Sequence, residues 1–227
     1  MNSPEARTRA GRPGLGQPGR HPRGSEEFSR VVNFSDALFA IAMTLLVVGI
    51  AVPKLTDGDN VGDLADALND LIPNFVSFFI SFLVIGRYWL AHHEFIGRLK
   101  AVDNGLIGLN LVYLVFIAFL PFPTALLGNY FENPLSVATY AVTVGVVSGM
   151  EVVMFRHAHR RGLMTERMPE DVYRFGVIAS LAPVLFFAVS IPLAFWHTGF
   201  AVASWFLAIP FGAVINRFKP EGAEEYY

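Results

Sequence analysis

The sequence predicts an all-α membrane protein with six transmembrane helices, and three observations carry the prediction. Six apolar runs have the length of a bilayer-spanning helix. Charged residues make up only 16% of the chain and hydrophobic residues 53%, where an ordinary soluble domain is about 25% charged. The basic residues gather between alternate runs, as orientation across a membrane requires. A soluble helical bundle would show a polar stripe on every helix. Leu106–Phe122 holds one strongly polar side chain, Asn110, and no charge. The absence of Cys excludes a disulfide framework, Cys-zinc sites, iron–sulfur clusters and thiol catalysis. A net charge of −2 argues against a basic nucleic-acid binder.

Residues 1–27 are rich in Pro, Gly and Arg with almost nothing to bury, and predict a disordered tail. No apolar stretch directly follows the early arginines, so this is not a signal peptide. The Gly14–Gly19 stretch lacks the Lys and flanking strand of a phosphate loop. Residues 28–218 form the membrane domain, and 219–227 a short second tail. The spans are expected at Val31–Val52, Leu71–Ala91, Asn104–Pro123, Pro134–Phe155, Val172–Phe195 and Thr198–Asn216. The first would reach about 33 Å, enough for the hydrocarbon core. Between the first two spans, Val61, Leu64, Ala65 and Leu68 recur at helical spacing and predict a short amphipathic helix. Pro73 suits a helix start, and Pro121 and Pro123 a helix stop. Pro183 and Pro210 fall inside spans, where kinks are tolerated. No internal repeat is visible.

Arg7, Arg9, Arg12, Arg20, Arg23 and Arg30 precede the first span. Arg87, Arg98 and Lys100 lie around the second connection, Arg156, Arg160, Arg161, Arg167 and Arg174 around the fourth, and Arg217 and Lys219 at the end. Of 17 basic residues, Lys54 alone falls on the other side. Both termini are therefore expected in the cytoplasm of a multi-pass protein. The outer connections carry Asp57, Asp59, Asp63, Asp66, Asp70 and Glu132, an acidic end that would concentrate cations or serve as a solvated polar surface.

Ionisable residues inside spans are functional candidates, and the first span opens Arg30-Val-Val-Asn-Phe34-Ser35-Asp36. Arg-x-x-x-Phe-Ser-Asp followed by Ala40-Ile41-x-x-Thr44-Leu45-Leu46 resembles the transmembrane protein 175 family of potassium channels. Trp89-Leu-Ala-His92-His93, Leu109-Asn110-Leu111 and Phe119-Leu-Pro-Phe-Pro123 extend the resemblance across about the first 125 residues. Spans four to six are similar only in number and apolarity. The resemblance implies a bacterial single-repeat member: a homotetramer in the plasma (inner) membrane, with helix one of each subunit lining a central pore. Potassium is the implied permeant ion, lipid the surroundings, and no cofactor, metal or nucleic-acid partner is expected. The family lacks the Thr-Val-Gly-Tyr-Gly filter loop, and so does this sequence.

Helical geometry at 100° per residue tests the carry-over. Ala37, Thr44, Leu45 and Val48 fall within about 60° of Ile41, so Ile41, Thr44, Leu45 and Val48 are the candidate pore and gate residues. Asp36 falls about 140° away and Ser35 about 120° the other way, facing the surrounding helices. The resemblance implies that the Phe-Ser-Asp segment is held by the second and third helices. Arg30, Phe34, Ser35, Asp36, Trp89, His93 and Asn110 are the expected anchoring network of helix one; Trp89 and His93 share a face, and Arg30 and Asp36 do not. The implied mechanism is passive conduction, with an Ile41 ring as a hydrophobic constriction that blocks flow by dewetting.

Other ionisable residues have blander readings. Adjacent His92 and His93 point about 100° apart and make a poor metal site. His157 and His159, among Arg156, Arg160 and Arg161, read as a basic patch near anionic lipid. Glu151 is expected to pair with Arg156 or another subunit, or to sense protons. A secondary transporter, a proton-permeable leak pathway and a lipid-directed enzyme or scaffold are the competing functions. No repeat, midplane charged site or Ser/His/Asp constellation favours the first or the last.

Overall fold

The first helix, α1 (Glu26–Val48), begins five residues before the expected span. This computed structural model describes residues 19–55, 60–166, 169–207, 211, 214, 217, 218 and 220. Residues 1–18, with Arg7, Arg9 and Arg12, lie outside the described residues, as do Asp57, Asp59, Arg167, Pro210, Asn216 and Lys219. The early start of α1 has a local cause. The Ser25 hydroxyl accepts from the Phe28 N–H at 3.2 Å, and Glu26 and Glu27 place negative charge at the positive end of the helix dipole.

Part of the expected tail is structured as well. Strand β1 (Arg20–Pro22) pairs antiparallel with β2 (Ala101–Asp103), matching Arg20 with Asp103, His21 with Val102 and Pro22 with Ala101. The segment is too short and polar for periodicity to reveal; its backbone hydrogen bonds stabilise it. The Arg23 N–H donates to the Lys100 carbonyl at 2.7 Å, and the Lys100 N–H to the Leu163 carbonyl at 2.9 Å. The Arg20 and Arg23 guanidinium groups donate to the carbonyls of Arg161 and Gly97. The base of α1 is thereby stitched to both connections on the basic side.

A short helix, α2 (Val61–Asp70), occupies the first connection, capped by Asn60, whose Oδ1 accepts from the Gly62 N–H at 2.9 Å. Its expected apolar stripe is exposed. After Leu71 the chain runs into α3 (Ile72–Gly97), with Pro73 in the first turn. The third span differs from its expected form. Instead of stopping at Pro121 and Pro123, α4 (Asn104–Phe119) gives way at Leu120 to α5 (Pro121–Asn129). Proline removes a backbone donor but suits the first turn of a helix, so the prolines restart the helix rather than end the span.

The longest helices are α6 (Pro134–Arg160) and α7 (Glu170–Trp196). Just past the end of α6, Gly162 has a φ of +62° that allows the Leu163 N–H to reach back to the Ala158 carbonyl. Pro183 lies inside α7, as does Pro192. Five helical segments among the described residues are long and apolar enough to cross a membrane. The sixth expected span begins as α8 (Thr198–Trp205), and much of its remainder lies outside the described residues. Helix α1 packs on α3, α4 and α5, while α6 packs on α4, α5, α7 and α8. Thus α1 stands at one edge, with α6 the most enclosed span.

Hydrogen bonds between spans supply what hydrophobicity cannot supply in lipid. The Thr124 hydroxyl donates to Ser81, whose hydroxyl donates to Tyr140 at 3.1 Å. Tyr88 donates to the Val144 carbonyl at 3.1 Å. Gly128 permits α5 to close on α3, because a Cβ there would lie 2.9 Å from the Asn74 Cα.

On the basic side, Asp103 caps α4 by accepting from the Leu106 N–H at 2.7 Å and meets His157 Nε2 at 2.9 Å. Burial opposes the Asp103 charge. The Leu106 N–H, His157 and nearby Arg161 outweigh that effect and hold the carboxyl below its usual value. Because the folded value is the lower one, the charge stabilises the fold above the ordinary Asp range. That contribution disappears as pH falls through the depressed value. Asp103→Ala should lower neutral-pH stability by about 1–2 kcal/mol, and its gap from wild type should narrow on acidification. Thermal melts in detergent check this; a gap independent of pH would remove the charge from the account.

Candidate functional site

Helix α1 has two faces, as its periodicity predicts. Phe28, Ser35, Phe39, Ala42 and Leu46 are buried against the neighbouring spans. The opposite face is uncovered: Ile41 is 56% exposed and Val48 74%, and Ala37, Thr44 and Leu45 are exposed beside them. The Thr44 hydroxyl donates to the Ile41 carbonyl at 2.8 Å. Its proton is committed to its own helix, leaving lone pairs to present outward. Exposed apolar residues also line α3, α4 and α7, as contact with lipid requires. On α1 a polar anchor lies behind the open face.

That anchor joins α1 to α3 and α4. Trp89 Nε1 donates to Asp36 Oδ1 at 2.9 Å. The Asn110 amide donates to the Ser35 hydroxyl at 2.9 Å, and Ser35 passes its own proton to the Val31 carbonyl at 2.8 Å. With the amide nitrogen of Asn110 on Ser35, its Oδ1 faces His92 Nε2 at 2.8 Å. That nitrogen therefore carries the proton. Ser35, His92 and Asn110 are all buried. The His92 ring stacks on Tyr113 with centroids 5.6 Å apart and planes 5° from parallel, and Phe39 of α1 lies 5.6 Å from His92.

The anchor differs from its sequence reading in three residues. His92, not His93, reaches Asn110. His93 is exposed and lies beside the Trp89 ring at 5.6 Å, as their four-residue spacing dictates. Phe34 is 52% exposed and stands two turns below Ile41 on the open face. Arg30 belongs to that face too, exposed and paired with Glu26 at 2.6 Å one turn away. Ser35, Asp36, Trp89 and Asn110 are brought together. Sequence spacing does not tell which histidine meets Asn110. Asn110, the one strongly polar side chain in the interior of α4, needs a buried partner, and His92 lies on the α3 face turned about 100° from His93.

A second polar group lies between α3, α4 and α6. The Tyr113 hydroxyl donates to Glu151 Oε1 at 3.2 Å, and Tyr88 meets Ser148 at 2.6 Å. Glu151 thus meets Tyr113 rather than Arg156. No cluster of three or more metal-ligating side chains occurs among the described residues. Asp70 and Glu132 line one cleft at the opposite end from the β1–β2 pair, between the α2–α3 junction and the α5–α6 turn.

The family described as endosomal/lysosomal potassium channel TMEM175 matches residues 30–121. A potassium channel of Streptomyces collinus is 34% identical over 174 residues, 74% of this chain and 83% of that one. The crystal structure of a lysosomal potassium-selective channel TMEM175 homolog from Chamaesiphon minutus matches with a TM-score of 0.67 and 30% identity. That match covers 85% of this chain and 100% of the other. An endosomal/lysosomal proton channel TMEM175 of Gallus gallus is 27% identical over 165 residues, covering 68% of this chain and 32% of that protein.

Removing Asn110 leaves His92 Nε2 without its acceptor and takes from Ser35 the donor to its oxygen, although the Ser35 hydroxyl keeps its bond to the Val31 carbonyl. Asn110→Ala should therefore lower stability by about 2–4 kcal/mol, since each unpaired group costs about 1–3 kcal/mol. In a double-mutant cycle with Ser35→Ala the two effects should be strongly non-additive. Additive losses in detergent melts would show that the 2.9 Å contact is not an energetic link.

Proposed function

The chain belongs to the TMEM175 channel family, and from that premise we propose that it is a potassium-permeable cation channel. Four copies would present the open faces of α1 to a central pathway, in a bacterial-type inner membrane with both termini cytoplasmic. The observation that carries the reading is the pairing of an uncovered Ile41–Val48 stripe with a buried anchor directly behind it. The anchor fixes which face of α1 stays uncovered.

In this reading Ile41 is the constriction. A ring of aliphatic side chains offers water no hydrogen bonds, so a narrow pathway at that level dewets and blocks ions. Widening it restores a water column and a passive current. Discrimination then follows dehydration: potassium sheds its hydration shell more readily than sodium. The Thr44 lone pairs would help replace lost water ligands one turn beyond Ile41. Arg30 and Phe34 share the Ile41 face and would line the basic-side mouth. The acidic cleft of Asp70 and Glu132 would raise cation concentration at the far end.

Reversal potentials in planar bilayers, with potassium opposite sodium, test the function. The potential should shift toward the potassium equilibrium value and leave a current without any coupled substrate. A potential that follows an imposed proton gradient instead would favour the proton-leak reading, and substrate-dependent flux would favour a transporter. Ile41→Asn hydrates the constriction and should raise flux roughly tenfold, equivalent to about 1.4 kcal/mol off the barrier. Unchanged flux would remove Ile41 from the gate. Thr44→Val keeps the size of the side chain and deletes its oxygen, so it should lower potassium-over-sodium preference with little loss of total current. A preserved ratio in bi-ionic measurements would leave Thr44 without a role in selection.

A further inference from the structure

One half-buried ionisable group has no part in the pathway along α1. Glu151 lies nine residues before the end of α6, about 13 Å of helix inside its basic-side terminus. Among the described residues its carboxylate has a single hydrogen-bond partner, the Tyr113 hydroxyl, and forms no ion pair. It faces a cavity of about 170 Å³, room for several waters. The cavity extends between α3, α4, α6 and α7, from Arg98 and Met164 near the basic-side connections to Tyr113 and Glu151.

Charged and titratable groups approach the carboxylate from α3 and α4. Helix α3 and the residue that follows it contribute Arg87, Tyr88, His92, Glu94 and Arg98, and α4 contributes Tyr113. Helix α7 brings Gly176 and Ser180, neither of which titrates. The link from Glu151 to the pore helix is continuous. Tyr113 holds the carboxylate with its hydroxyl, and its ring stacks on His92 at 5.6 Å and meets Phe39 of α1 at 6.0 Å. His92 in turn holds Asn110, which holds Ser35 of α1.

We propose that Glu151 is a proton-binding site inside each subunit, reached by water from the basic side, and that its charge state is relayed through Tyr113 and His92 to the anchor of α1. The ionised carboxylate accepts from Tyr113. The protonated acid gains a donor and keeps a neutral carbonyl oxygen, so the charge-assisted Tyr113 bond weakens to a neutral one or the Tyr113 hydroxyl turns to accept from the new O–H. Tyr113 is fully buried. A change at its hydroxyl is therefore transmitted to the ring that packs on His92 and Phe39. The site regulates conduction from outside the pathway; protons are its ligand, not the permeant ion.

The inference rests on the channel reading above, and its test separates the two. Full-length protein in liposomes is assayed for potassium flux over a pH series, with infrared difference spectra of the carboxyl band on the same samples. Wild-type flux should follow pH together with a protonated-carboxyl band. Glu151→Gln should lose that band and hold flux at the wild-type acid level at every pH. Glu151→Asp keeps the acid and should retain both signals with a shifted midpoint. Tyr113→Phe should keep the band while flux no longer follows pH. Glu151→Gln flux that titrates like wild type, or an infrared band that survives the substitution, overturns the site; Tyr113→Phe flux that still follows pH overturns the relay. A wild type that passes no potassium but shows the band defeats the channel reading and leaves the proton site standing.

Discussion

The need to satisfy buried polar groups inside the protein, with no help from bilayer water, sets the orientation of the first helix. Ser35 and Asp36 are adjacent on α1, and both sit where lipid would leave them unpaired. Asn110 and Trp89 meet them from two different helices, at 2.9 Å each. Two bonds that diverge from one turn of helix fix rotation as well as position. A one-residue slip, about 100° of rotation, would break both and strand four polar groups. Everything opposite the anchor is placed by that requirement, including the exposed stripe from Ala37 to Val48.

The two ends of α1 are held by different physics. At the basic side the backbone of residues 20–23 is woven into the connections after α3 and α6, through the β1–β2 pair and the Arg20 and Arg23 guanidinium groups. These are polar ties in the interfacial region, where water competes for each bond. At the far end the restraint is steric: a Cβ on Gly49 would meet the Ala125 Cβ at 3.0 Å, so α1 and α5 approach closely there. Between the two lies the buried anchor. The Ile41 level stands about a turn and a half beyond Asp36, near enough for the anchor to set its direction and too far to be touched by it.

The Arg30-to-Asp36 spacing and the run of apolar positions after it made the two faces of α1 legible in the sequence, because rotation at 100° per residue is arithmetic. The partners were legible only in part. Trp89 and Asn110 stood out as polar or amphipathic groups in apolar helices, but the choice between His92 and His93 depends on how α3 is turned against α4, which no spacing within α3 reveals. Arg30 and Phe34 share the family motif with Ser35 and Asp36 yet fall on the other face. A motif groups residues by sequence, and the helix sorts them by angle. The β1–β2 pair was hidden in a stretch whose composition reads as tail, since three residues of backbone pairing leave no hydrophobic signature. The Glu151–Tyr113 contact joins residues 38 apart in sequence on different helices, and only packing could bring it to notice.

The anchor also bears on how any pathway along this face would open. Rotating α1 moves Ile41 off an axis but must break the Ser35–Asn110 and Asp36–Trp89 bonds, each group left unpaired at about 1–3 kcal/mol. In the tetramer proposed above, four copies turning together would multiply that by four. Switching equilibria usually span only a few kcal/mol. Tilting α1 about the anchor widens the far half of the stripe, Ile41 to Val48, while those bonds persist. The close approach of Gly49 to Ala125 does not oppose such a tilt, since it involves no hydrogen bond and can open without stranding a polar atom. Energetics therefore favour a hinge at residues 35–36 over a rotation. The relay from Glu151 through Tyr113 and His92 arrives at that hinge, where a small displacement has the longest lever arm.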